Sequence, residues 1–180
     1  MDDDELVKHI ADGDLEAFEG LVRKYQDKIY NLCRYMLIDP YIARDAAQDT
    51  FLKAYRRLKD FKGECAFYSW LYRIAVNTCL DEKRRTRQET ERTDQVPSVE
   101  DLPSSSPSAD RLYESKETAR TIQRALQKLP EGLRAAIVLK EIEGLSYEEI
   151  ADALDISMGT VKSRISRARE ELRRLLRAGI

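Results

Sequence analysis

The segment 145–172 leaves this chain the fewest ways to fold, because it carries its own helix boundaries. Ser146 stands three residues before Glu149, the spacing of a capping box in which each residue satisfies a backbone donor at a helix start. Ile150, Ala151 and Leu154 then share one face, and the small Ala151 permits close approach of a neighbouring helix. Asp155 sits where the chain must turn and is among the few residues that tolerate a left-handed backbone. Ser157 can cap a second helix beginning near Gly159, along which Val161, Ile165, Ala168 and Leu172 recur at helical spacing. Its opposite face carries Thr160, Ser163, Ser166, Arg167 and Glu170, with Lys162 and Arg164 on the flanks. This is the layout of a DNA-reading helix-turn-helix. Side chains at the start of the second helix can reach base edges in the major groove, while later bases neutralise phosphate. A helical hairpin with a solvated charged face is the plainer alternative. Agreement of two caps, a small residue and apolar spacing favours DNA reading.

The formal net charge of −2 argues against a nucleic-acid binder only as an average. Residues 2–19 hold eight acids against Lys8, whereas residues 160–177 hold seven bases against Glu170 and Glu171. Charge is segregated, so one region can bind DNA while another repels it or meets a basic protein surface.

Every long segment shows a helical period and strand signals are absent, so the fold class is all-α, in two small helical domains. Phe18, Leu21, Val22, Tyr25, Ile29, Leu32 and Met36 trace one face of a helix over about 15–37, broken by Asp39-Pro40. A helix over about 41–58 turns Ala43, Ala47, Phe51, Ala54, Tyr55 and Leu58 inward and presents Asp45, Gln48, Asp49, Leu52 and Arg56 outward. After a loop at 61–66, in which Gly63 permits a tight path, a third helix runs from about 67 to 85 or beyond. Residues 93–112 are rich in proline, serine and acids without helical spacing and read as a flexible linker. Beyond it, Ile122, Ala125, Leu126 and Leu129 mark a helix ending at Pro130, and Leu133, Ala136, Ile137 and 139–142 mark another before Gly144. The expected domains are therefore 1–92 and 113–180. Cys33, Cys65 and Cys79 are odd in number and lack paired spacing, so packed free thiols are expected rather than disulfides or zinc ligands. With no bilayer-length apolar run and no signal-peptide pattern, a cytoplasmic protein without membrane insertion is expected.

A second constellation surrounds the loop and third helix. Phe61, Phe67, Tyr68, Trp70 and Tyr72 are interleaved with Lys62, Arg73, Asn77, Lys83, Arg84 and Arg85. Aromatic platforms beside phosphate-neutralising bases suit the capture of unstacked nucleotides. Trp70, Arg73, Asn77 and Asp81 share a helical stripe and can face one strand together. Two readings of the aromatics stand at this level: nucleotide platform, or simply core. One surface for duplex and one for single strand suggest a protein that locates a site and helps open it.

The segments 45–55 (Asp-Ala-Ala-Gln-Asp-Thr-Phe-Leu-Lys-Ala-Tyr), 67–77 (Phe-Tyr-Ser-Trp-Leu-Tyr-Arg-Ile-Ala-Val-Asn) with Arg84-Arg85, Leu129-Pro130, and 159–164 (Gly-Thr-Val-Lys-Ser-Arg) occur in family order. In these the chain resembles the bacterial extracytoplasmic-function sigma factors, group IV of the sigma-seventy class. The resemblance covers nearly the whole chain. It implies a sigma-two and a sigma-four domain that bind core RNA polymerase through its beta-prime clamp and beta flap. It also implies binding of promoter DNA in duplex and single-stranded form, and an anti-sigma factor as a further partner. Asp45, Gln48, Asp49, Leu52 and Arg56 match the family's clamp-docking region. The loop containing Phe61, Lys62 and Gly63, together with Trp70, Arg73, Asn77, Arg84 and Arg85, matches the surface for the minus-ten element. Thr160, Lys162, Ser163, Arg164, Ser166 and Arg167 match the helix that reads the minus-thirty-five element. Lys162 stands where some members carry arginine and Ser166 where some carry phenylalanine, departures that change the chemistry available for base contact.

The competing class is an operator-binding regulator with an N-terminal dimerisation or sensing module. An enzyme is disfavoured: the one histidine, His9, lies in an acidic segment, no phosphate-binding glycine loop is present, and no carboxylates have metal-ligand companions. No cofactor and no metal are expected.

Overall fold

The computed structural model describes residues 3–11, 14–92 and 110–179; the proposed linker lies largely outside them. The described residues form α1 (Asp3–Ala11), α2 (Leu15–Met36), α3 (Pro40–Arg57), a 3-10 turn (Leu58–Asp60), α4 (Phe67–Arg92), α5 (Asp110–Lys128), α6 (Glu131–Glu141), α7 (Tyr147–Leu154) and α8 (Met158–Arg177). The all-α expectation holds for these residues.

Local chemistry sets the boundaries. Asp14 caps α2 by accepting from the backbone of Glu16 and Ala17. Asp39 does the same for α3 with Tyr41 and Ile42, and Pro40 supplies a preset first-turn φ. The apolar stripe of α2 is buried at Leu21, Tyr25, Ile29, Leu32, Cys33 and Met36, and packs against α1, α3 and α4. Tyr55 departs from expectation. It is 46% exposed and covers Phe18 edge-on, with ring centroids 4.9 Å apart. The inward side of α3 is instead completed by Ala46 and Thr50, so a face of small residues brings α3 close to its neighbours.

In the second unit α8 packs against α5, α6 and α7, burying Val161, Ile165, Ala168 and Leu175. The two units also pack on one another, α4 against α7 and α2 against both α5 and α6. This contact explains a second departure. Ala153 is buried, whereas Ala151 and Leu154 are half-buried, because Ala153 abuts α4 beside Arg73, Val76 and Asn77.

Arg134 joins the units. It follows Pro130 by one helical turn, so its side chain points back over the α5–α6 corner. Its guanidinium donates to the carbonyls of Leu126 (2.7 Å), Gln127 (2.6 Å), Leu129 (2.9 Å) and Met36 (3.0 Å), and to the Gln127 side chain (2.7 Å). Burial pulls the guanidinium pKa down, but no acid is hydrogen-bonded to it. The C-terminal ends of α5 and α2 instead aim carbonyls and negative dipole ends at the cation. Gln123 and Gln127 extend the arrangement, donating to the carbonyls of Arg34 (2.9 Å) and Tyr35 (3.0 Å). Three successive carbonyls at the end of α2 are thus capped by the other unit.

Arg134→Met keeps the length of the side chain but strips donors from four buried carbonyls. Its expected cost is roughly 3 kcal/mol of unfolding free energy, read as a lower urea midpoint. Arg134→Lys should recover little of that loss, because an ammonium cannot reproduce the planar fork.

Candidate nucleic-acid interface

The helix-turn-helix is built as its residue types require. Ser146 and Glu149 make the reciprocal capping box, with distances of 3.2 and 2.6 Å. Asp155 adopts φ 53°, the left-handed turn. Ser157 caps α8 by accepting from the Thr160 backbone at 3.2 Å, and its hydroxyl also meets that of Thr160 at 2.9 Å. The turn therefore fixes the orientation of the first residues of α8. Lys162, Ser163, Ser166 and Arg167 are exposed along its outer face, and Thr160 is half-buried beside them. A shallow groove of about 300 Å³ runs along this side between Tyr147 of α7 and Lys162, Ser166, Arg169 and Arg173 of α8.

Arg164 lies elsewhere. It is half-buried and lies over Gly132 in the first turn of α6, where a Cβ would come within 3.2 Å of the guanidinium. The absence of a side chain at 132 gives Arg164 its seat. It does not share the outer face with Ser166 and Arg167.

The first unit divides its aromatics between core and rim. Phe67 and Tyr72 are buried, so the core reading holds for them. Phe61 and Trp70 are half-buried over Phe67, with centroids 5.2 Å apart from each other. Lys62 and Gly63 are exposed at the loop tip, where Gly63 takes φ 72°, a conformation that suits glycine. Arg84 and Arg85 are exposed near the far end of α4, paired along the helix with Asp81 at 3.5 Å and Glu82 at 2.8 Å.

Within the stripe of Trp70, Arg73 and Asn77, Arg73 is bound to the second unit whereas Asn77 stays exposed. Arg73 donates from both Nε, at 3.0 Å, and a terminal nitrogen to the Asp152 carbonyl of α7. Asn77 lines a cavity of about 350 Å³ between the units, which Arg73, Glu131 and Arg164 also line. Around this contact, Tyr68 donates to Glu149, and Tyr72 donates to Glu143 at 2.6 Å. The hydrogen bond to Glu149 raises the Tyr68 phenol to about 12, and burial raises that of Tyr72. Glu149 is held below its ordinary value by Tyr68 and the Ser146 backbone, whereas burial pushes Glu143 up. Glu143 and the Gln123, Gln127 and Arg134 donors were not singled out from the sequence, and Glu149 was singled out only as the partner of Ser146.

The proposed docking stripe is intact on the outside of α3. Asp45, Gln48, Leu52 and Arg56 are exposed, and Asp49 is half-buried in an ion pair with Lys53 at 2.8 Å. Leu52 is 55% exposed at its centre. All three cysteines are free: Cys33 and Cys79 are buried, and contact with Cys79 together with burial keeps Cys33 a thiol. Among the described residues no cluster of metal-ligating side chains occurs, and no helix is long and apolar enough to cross a membrane.

Comparison with known proteins gives this geometry its class. Residues 21–89 match the Sigma-70 region 2 family and residues 119–172 match Sigma-70, region 4, so both units match parts of a transcription initiation factor. The chain is 41% identical to the RNA polymerase sigma-H factor of Pseudomonas aeruginosa, over 97% of this chain and 93% of that one. It is also 41% identical to the ECF RNA polymerase sigma-E factor of Haemophilus influenzae, over 94% of this chain and 93% of the relative. Among solved structures it is similar to CnrH in complex with the cytosolic domain of CnrY, at TM-score 0.72 and 30% identity over 97% of each chain. A second similar structure is the sigma factor RpoE in complex with the anti-sigma factor NepR from Bartonella quintana, at TM-score 0.72 and 27% identity, covering 92% of this chain and 100% of that one. The chain belongs to the extracytoplasmic-function sigma factors.

Because the Ser157 cap sets the first turn of α8, Ser157→Ala should cost about 1 kcal/mol of stability. Chemical denaturation measures it, and faster amide exchange at Thr160 should accompany the loss.

Proposed function

We propose that this chain binds core RNA polymerase, directs it to particular promoters and helps open the minus-ten region. The observation that supports this reading is that the exposed bases of α8, the loop with Phe61, Lys62 and Gly63, and the exposed row on α3 lie on separate elements of one short chain. Family membership gives each a role. The stripe Asp45, Gln48, Asp49, Leu52 and Arg56 docks on the beta-prime clamp. An exposed leucine within mixed charges suits such an interface, apolar at the centre and polar at the rim. The loop with Phe61, Lys62 and Gly63 receives an unstacked base beside Trp70, while Arg73, Asn77, Arg84 and Arg85 follow the strand. Thr160, Lys162, Ser163, Ser166 and Arg167 read and position the minus-thirty-five duplex. Arg164, seated on Gly132, serves at the flank of that surface.

The functional units are 1–92 and 113–180, joined by 93–112, the last residues of which already belong to α5. The second unit engages the beta flap. Chemistry belongs to the polymerase, so the chain acts without catalysis of its own, in the cytoplasm. An anti-sigma factor is its natural antagonist, a reading supported by the similar structures, which are complexes of CnrH with the cytosolic domain of CnrY and of RpoE with the anti-sigma factor NepR.

Run-off transcription of genomic fragments by bacterial core polymerase tests the proposal: transcripts should start only when the chain is added. Arg167→Ala should weaken promoter selection by about 1–3 kcal/mol while sparing affinity for core polymerase. Asp49→Arg should reverse that pattern, lowering affinity for core enzyme while helix content by circular dichroism stays unchanged. Unaltered transcription by the first variant, or unaltered core affinity in the second, contradicts the respective assignment.

A further inference from the structure

The outer stripe of α3 is braced from behind, and the brace begins inside the protein. Thr78 of α4 is 1% exposed, and its hydroxyl accepts from the Lys53 ammonium at 3.1 Å. That ammonium also lies 2.8 Å from Oδ2 of Asp49, one helical turn back along α3. Asp49 stands N-terminal to Lys53 at i, i+4, the favourable order for an ion pair on a helix. A surface pair of this kind usually contributes little, because two side chains must give up rotamer freedom to hold one geometry. Lys53 differs in being half-buried, with its head tied to a hydroxyl that the packing of α3 on α4 fixes in place. The Asp49 side chain keeps 43% exposure, and its second oxygen, Oδ1, meets no donor among the described residues. One carboxylate oxygen is therefore anchored and the other is left to a partner. Asp45, Gln48 and Arg56, the other polar members of the stripe, are exposed and make no side-chain hydrogen bond or ion pair among the described residues. Asp49 alone among these four is held.

We infer that Lys53 and Thr78 are positioning residues for polymerase docking, holding the Asp49 carboxylate in the orientation that a basic group of the partner meets. The inference rests on the reading of α3 as the polymerase-docking helix, and adds to it two residues that act through Asp49. A side chain ordered before binding loses less freedom when the interface forms, whereas one that must be ordered at that moment costs affinity. Lys53 also exerts an opposite effect, since its charge partly neutralises Asp49 toward a basic partner. Thr78 separates the two effects. It carries no charge, so removing its hydroxyl loosens the ammonium, and with it the carboxylate, while every charge on the stripe stays as it was. The brace gives α4 a part in docking that is separate from its residues assigned to the promoter strand.

The test uses the full chain and bacterial core RNA polymerase, with affinity read by competition against a dye-labelled parent chain. Thr78→Val removes the hydroxyl with little change of shape and should weaken core binding about threefold to fivefold. Thr78→Ser keeps the acceptor and should restore the parent affinity. In a Lys53→Met or an Asp49→Asn background, Thr78→Val should have no further effect, because the path from Thr78 to the partner is already broken. A general structural effect of the valine would persist in both backgrounds, and circular dichroism with a urea titration checks that each variant is folded under the assay conditions. In run-off transcription the half-saturating concentration of Thr78→Val should rise while output at saturation matches the parent, a split that damage to the strand-binding side of α4 would not produce. Parent-like core binding by Thr78→Val, with Asp49→Asn binding more weakly, overturns the positioning role. An undiminished loss in either background overturns it as well. If Asp49→Asn itself binds core enzyme as the parent does, the docking reading of Asp49 fails, and the positioning role with it.

Discussion

A buried cation hydrogen-bonded to carbonyls and an amide rather than to a carboxylate organises this molecule. Taking a guanidinium out of water is costly, and Arg134 is 1% exposed. What offsets the cost is geometry. Two helices end at the same point, each with unsatisfied carbonyls and the negative end of its dipole, and a planar group with five donors reaches both. The α5–α6 corner and the seat of the second unit on α2 are consequently one structure. Gln127 links them directly, accepting from Arg134 through its side-chain oxygen and donating to Tyr35 through its nitrogen. With that corner fixed, α6 and α8 fall into place around the apolar residues Ile137, Val161 and Ile165, and α7 comes to rest against α4.

Function follows from which surfaces this packing leaves outside. The outer face of α8 and the stripe on α3 remain available, while on α4 Arg73 is bound to the second unit and Asn77 stays exposed. Charge is distributed to match. Lys162 and Arg167 of α8 stand in the open, while Glu143, in the turn after α6, and Glu149 of α7 are held by the phenols of α4. A DNA-binding chain with a slightly negative total charge is then no paradox, since association with phosphate depends on the local field rather than on the sum.

The parts of this arrangement that repeat or cap were legible in the sequence. The α2 stripe, the Ser146–Glu149 box, the left-handed Asp155 and the Ser157 cap each follow from rules that act within a few residues. So does the exposed row on α3, the complement of a buried period. What escaped were contacts made across the units. Arg134, Gln123 and Gln127 are residue types expected at a surface, and nothing in their spacing announces that the carbonyls of residues 34–36 await them. Ala153 in place of Ala151, and Tyr55 outside rather than inside, were missed for a related reason. A helix covered on two sides, or one whose aromatic lies across a neighbour's edge, does not obey a single-face period. Arg164 shares that origin, since its seat depends on the missing side chain at Gly132, a residue 32 positions earlier. The resemblance to sigma factors supplied roles for residues, but a resemblance by motif carries no information about how the two units sit together.

The central claim is that Arg134 seats the second unit on the end of α2. Fluorescence energy transfer between dyes at Arg44→Cys, on the exposed side of α3, and Ala178→Cys, after α8, tests it most directly. Cys65→Ser removes the accessible native thiol, and the buried Cys33 and Cys79 stay unlabelled. High transfer that falls when Arg134→Met is introduced into the labelled chain, with helix content unchanged, is the result this account predicts. Low transfer in the parent chain, or transfer that Arg134→Met leaves as it was, would contradict it.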